Sequence, residues 1–172
     1  MPLKNHEKEL LSIIRQPPQS TSLDGTSQID ISILITATSK LSLTNLERLE
    51  RTIRWGYSEI IETPTTPHSS AVKPISCPLS WLDLCHGSGF QREKALRAPL
   101  GPAPNAFLFA IATRRLNDWA PKVREAARER LPAIAENTNP EFVADVLCAT
   151  LPNWVSWGRI EEGDRQVLLE IA

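Results

Sequence analysis

Apolar residues in this chain recur mainly at helical spacing, three and four positions apart. Leu10, Leu11, Ile13 and Ile14 line one side of a short helix that Pro17 and Pro18 end. Residues 19–28 are polar and rich in turn formers, which predicts a loop. The β-branched, partly alternating run "IDISILITATS" (29–39) reads as a possible short strand, but no second segment of that quality is there to pair with it. An extended or helical stretch is therefore the rival reading. From 42 to 61 the spacing predicts a long helix capped by Ser42 or Thr44. Leu43, Leu46, Leu49, Ile53, Ile60 and Ile61 form its apolar face, and Gly56 is expected to break or bend it. Residues 62–78 hold four of the fourteen prolines and mark a boundary.

Beyond the boundary, helix follows helix. Residues 79–90 predict a short helix stopped at Gly87, and residues 91–100 a basic helix ended near Pro99. Pro104 starts another, in which Phe107 to Ala112 leaves no polar face, so this run is expected to be buried on most sides. Asp118 caps the helix that follows through Glu136 and Asn139-Pro140 opens the next, which Pro152 and "NWVSWG" interrupt. Gly163-Asp164 opens the last. That helix runs to Ala172 without a glycine or other stop signal, as expected of a chain that continues. The resulting division is an N-terminal helical segment (1–62, with the possible strand at 29–39), a Pro-rich linker or strap (63–78) and a helical region (79–172).

The stretch "RLNDWAPKVREAARERLPAI" (115–134) resembles the second helix of a HEAT repeat, a helical hairpin that stacks into solenoids. The matching positions are Asp118 in the inter-helix turn, Pro121 in the first helical turn, Val123-Arg124, the small pair Ala126-Ala127, and Leu131. Val123, Ala127 and Leu131 fall at i, i+4 and i+8, and the alanines let a paired helix come close. The clear match covers one repeat, with helices at about 105–116 and 120–136. Residues 140–172 have the length of a second hairpin but lack the Pro-x-Val-Arg core. The segment also resembles Trp-containing HEAT-like stretches of bacterial proteins, a similarity that identifies no activity. The resemblance implies a mainly α fold of stacked hairpins with a divergent N-terminal segment. It also gives Arg124 a structural role, reaching towards the Asp of a neighbouring repeat.

Charge sharpens the picture. The formal net charge is −1, yet residues 90–130 carry nine Lys and Arg against four acids, and residues 131–172 carry seven acids against two Arg. Such a head-to-tail separation suits a partner-facing surface. Three cysteines without a CxxC pair point to a reducing compartment. No apolar run reaches the ~18 residues of a membrane span, and the N-terminus lacks a signal peptide's apolar centre, so the cytoplasm is the expected location.

No catalytic, metal or cofactor constellation assembles. Cys85-His86 lacks zinc-ligand spacing and a third catalytic partner, "HGSG" is not a phosphate loop, and Glu161, Glu162 and Asp164 fit the positive end of a helix. The expected function is therefore non-enzymatic protein binding. A dedicated inhibitor, such as an immunity protein for a bacterial toxin, is one concrete form and a scaffold subunit another. Arg114, Arg115, Trp119, Lys122 and Arg128 are the expected contact residues, with Asp118 as a helix cap and Trp119 wedged between helices. Nucleic acid is the alternative partner, because a DNA-repair glycosylase family of HEAT-like architecture lines a basic cleft with Trp, Asp and Arg.

Overall fold

The computed structural model describes residues 8–10, 12, 31–62 and 81–172, and of 31–34 and 56–62 it describes the backbone alone. The Pro-rich boundary at 63–78 lies outside these residues, as does most of the expected first helix, of which 8–10 and 12 are helical. The α-helices are α1 (Ile31–Ser39), α2 (Leu46–Glu62), α3 (Gly89–Arg97), α4 (Ala106–Arg114), α5 (Pro121–Asn137), α6 (Pro140–Thr150) and α7 (Glu162–Glu170). Tighter 3₁₀ turns lie at Leu43–Asn45, Trp81–Cys85, Arg115–Asn117 and Leu151–Ser156. The protein is mainly α, with no strand among the described residues.

Two sequence expectations are corrected here. The possible strand at 29–39 is helical from Ile31. With no partner strand to satisfy an extended backbone, local β preference yields to tertiary contacts. Asn105 supplies one of these: its Nδ2 donates to the Ile35 carbonyl at 3.1 Å and to Thr38 Oγ1 at 2.8 Å. Its Oδ1 meanwhile accepts from the Leu108 N–H and caps α4. The second correction is that α2 passes through Gly56 without a break. One glycine costs about 1 kcal/mol, too little to end a helix of this length. Other expected signals act as read: Ser42 caps the turn leading into α2, and Asn139 caps α6.

Alternate helices stack on one another. In one layer α3 packs on α5 and α5 on α7; in the other α2 packs on α4 and α4 on α6. α4 is central, touched also by α1, α5 and the Trp81–Cys85 turn. That position explains why Phe107 to Ala112 is buried throughout and needs no polar face. The expected helix–turn–helix over 105–136 is present as α4, the Arg115–Asn117 turn and α5, with Asp118 in the connection.

On α5, Val123, Ala127 and Leu131 are fully buried, as their phase requires. Ala127→Leu is therefore expected to destabilise by about 1–3 kcal/mol through overpacking, read as a lower urea midpoint at unchanged slope. Arg128 is not the neutral solvent position that the same phase implies. It is half-buried and donates to the fully buried Asp164 carboxylate at 3.0 Å.

Candidate functional site

The expected contact residues lie where α4 turns into α5, and the turn is built around Asp118. Asp118 is extended (φ −65°, ψ 148°), and Pro121 opens α5 two residues after the exposed Trp119. The Asp118 carboxylate is buried. Its Oδ1 accepts from Arg92 Nη2 at 2.7 Å and its Oδ2 from Arg92 Nε at 2.8 Å, a bidentate pair between two enclosed side chains. Arg92 Nη1 donates to the carbonyls of His86 and Gly87, which fixes the loop ahead of α3. Arg115 Nη1 reaches Asp118 Oδ2 at 2.9 Å, and its Nη2 reaches Glu50 Oε1 of α2 at 2.6 Å. Glu50 also pairs with Arg54 at 2.7 Å and Arg114 at 3.1 Å. One network of ion pairs thus ties α2, α3, α4 and the turn before α5 together.

The network changes the roles read from the sequence. Asp118 accepts the Ala120 N–H at 2.9 Å, but Ala120 is itself the N-cap of α5 and no side chain caps that helix, so Asp118 orders the turn and is not the cap its position suggests. Arg115 is only 4% exposed in its side chain and is consumed by two carboxylates, so it is not a contact residue. Lys122 is exposed and paired with Glu125 at 2.8 Å, while Arg128 is committed to Asp164 and Glu161. Trp119 is not a wedge between helices. It is 61% exposed, with its ring over the Arg92 guanidinium at 5.5 Å and its edge near enough to Gly89 that a Cβ there would touch it. The next residue of α3, Phe90, is 70% exposed. Sequence reading missed Phe90, Arg92 and Glu50, yet helical phase could have found them. Arg92 shares its face with Ala95 and Leu96, and Glu50 lies between Leu49 and Ile53 on the apolar side of α2, whereas Phe90 points out of phase.

Burial pushes both carboxyl groups upward, and the guanidinium groups more than offset it. Glu50 ends below the ordinary glutamate range under the charges of Arg115, Arg114 and Arg54. Asp118 ends below the aspartate range through the Arg92 hydrogen bond, the Arg115 charge and the Ala120 N–H. A depressed folded pKa stabilises the fold above the unfolded value, and that contribution is lost as pH falls through the folded value. Stability is thus expected to drop steeply below about pH 4, and Glu50→Gln should flatten that acid limb in melting curves taken across pH. The neighbouring Cys85 thiol is pushed up to about 12, first by burial and then by the Glu50 charge. A thiol so enclosed is no nucleophile at neutral pH. His86 Nδ1 accepts the Ser88 N–H at 2.9 Å. Among the described residues no three His, Cys, Asp or Glu gather as metal ligands, and no helix is long and apolar enough to cross a membrane.

A second clamp extends the edge. Arg124 donates to the Asp118 carbonyl at 3.0 Å and to Glu161 at 3.1 Å. Glu161 and Asp164 form a reciprocal capping box at the start of α7. Arg159 N–H donates to Asn117 Oδ1 at 3.0 Å. The loops before α3, α5 and α7 therefore lie side by side along one edge. No protein-family model, curated protein or solved structure matches this chain.

Proposed function

We propose that this chain is a non-enzymatic protein-binding module of HEAT-like stacked hairpins that uses the edge around Trp119. The observation that carries this reading is that two large exposed aromatics, Trp119 and Phe90, stand together at the starts of α5 and α3, apart from the exposed Trp55 of α2. Trp119 lies over a guanidinium that is itself held by Asp118 and two carbonyls, so the ring is ordered before any partner arrives. A pre-ordered aromatic costs little entropy on binding and suits an interface anchor. A dedicated inhibitor of a single partner, such as an immunity protein, fits a small module of this kind, and so does a scaffold subunit.

Nucleic acid is the less favoured partner. Of the basic residues expected to make contact, Arg115 is enclosed and Lys122 and Arg128 are already paired with carboxylates. The test is affinity capture from the native host with the wild-type chain and with Phe90→Ala/Trp119→Ala. One stoichiometric protein partner is expected, bound at least about 30-fold more weakly by the variant at unchanged melting temperature. Recovery of nucleic acid instead, or a complex indifferent to both substitutions, would overturn the reading.

A further inference from the structure

The same edge holds more cations than its own carboxylates neutralise. Glu50 is shared by Arg54, Arg114 and Arg115, Asp118 by Arg92 and Arg115, and Glu161 by Arg124 and Arg128. Each of these three carboxylates serves at least two guanidinium groups, and among the described residues Asp164 takes Arg128 alone, so six guanidinium groups face four carboxylates. Those of Arg92 and Arg115 are enclosed, so the surplus emerges where side chains reach water. Arg114, 23% exposed in its side chain, gives its Nε to Glu50, while its forked Nη1 and Nη2 make no hydrogen bond among the described residues. Three residues on, along a 3₁₀ turn in which i and i+3 eclipse, lies Asn117. The Asn117 oxygen is occupied by the Arg159 N–H, leaving its two amide donors, and that bond brings the exposed Arg159 beside the turn.

We infer that Arg114, Asn117 and Arg159 form a carboxylate-docking site, and that the partner places an acidic segment there beside the Trp119 anchor. This rests on the protein-binding reading above and adds the partner's chemistry to it. A guanidinium fork pre-set by Glu50 matches the two oxygens of a carboxylate. The half-buried Arg114 and the exposed Arg159 offer two guanidinium groups, enough for an acidic side chain or two. A polyanionic nucleic acid needs several phosphate contacts, more than these two groups provide.

The test measures binding of a fluorescein-labelled octaglutamate peptide by anisotropy at about 20 mM salt, where screening is weak. Arg114→Gln/Arg159→Gln is compared with Arg51→Gln/Arg165→Gln, which loses the same charge at exposed sites paired locally with Glu47 and Glu162. The wild type should bind, the first variant about fivefold or more weaker, and the second nearly as wild type. Arg159→Gln alone, outside the buried network, should weaken binding about twofold, so the result does not depend on Arg114 variants folding well. No binding by the wild type, or equal loss in both double variants, would overturn the site. Tighter binding of labelled single-stranded DNA, lost only in the first variant, would overturn it in favour of nucleic acid. A negative result with Trp119-dependent capture intact would remove the acidic chemistry alone, whereas loss of both would remove the protein-binding reading.

Discussion

Replacing Asp118 with alanine is expected to lower the unfolding free energy by about 3–5 kcal/mol, measured by urea denaturation. The magnitude follows from what the substitution leaves behind. Arg92 and Arg115 are buried, and both lose an acceptor when the carboxylate goes; Arg92 keeps two carbonyls and Arg115 keeps Glu50. Buried guanidinium groups with incomplete compensation are costly because water cannot replace the lost partner. A residue that acted only as a helix cap would cost about 1 kcal/mol. A measured loss near that smaller value would mean that the Arg92 and Arg115 pairs contribute no stability. Trp119 adds an independent readout, since its ring lies over Arg92 and loses its support if that side chain moves. If the proposed binding edge is used, partner affinity in this variant should therefore fall even where the fold survives.

Phe109→Ala is expected to destabilise by about 3–5 kcal/mol, while Phe90→Ala should leave stability within about 0.5 kcal/mol. Phe109 is fully enclosed at the middle of α4, the helix on which α2 and α6 pack from two sides and α5 from a third. Removing the ring opens a cavity that three well-packed neighbours cannot close. Phe90 projects to solvent from the first turn of α3 and leaves no cavity behind. Thermal melts of the two variants read the contrast directly. Similar losses in both would place Phe90 in the core and remove it from the proposed binding edge.

Where a local pattern decided the structure, it was readable in advance. The unbroken apolar run of Phe107 to Ala112 can only be enclosed, and it is; Ala127 and Leu131 follow from phase; Ser42 and Asn139 follow from capping chemistry. Residues 31–39 misled because β-branched side chains prefer strands only weakly, while the contacts of Asn105 come from 67 and 70 positions away. The ion-pair network was invisible for a related reason. Arg92 and Asp118 are 26 residues apart and Arg114 and Glu50 are 64 apart, so no window of sequence holds both partners. Basic residues there looked like a surface, when an arginine in phase with Ala95 and Leu96 was a sign of a buried partner. Of the five expected contact residues, Trp119 keeps an open face and Arg114 keeps open donors.

The spacing of these ion pairs also bears on the order of assembly. Pairs joining α3 to α5 or its preceding turn span 26 and 32 residues, and those joining α5 to α7 span 36 and 37. Closing such segments costs similar entropy, so either pair of neighbours can nucleate. The pairs joining α4 to α2 through Glu50 close 64 residues, about 0.6 kcal/mol more for each doubling of length. Docking of α2 is therefore expected to come late, and Glu50→Gln is expected to speed unfolding in denaturant-jump kinetics while leaving the folding rate nearly unchanged.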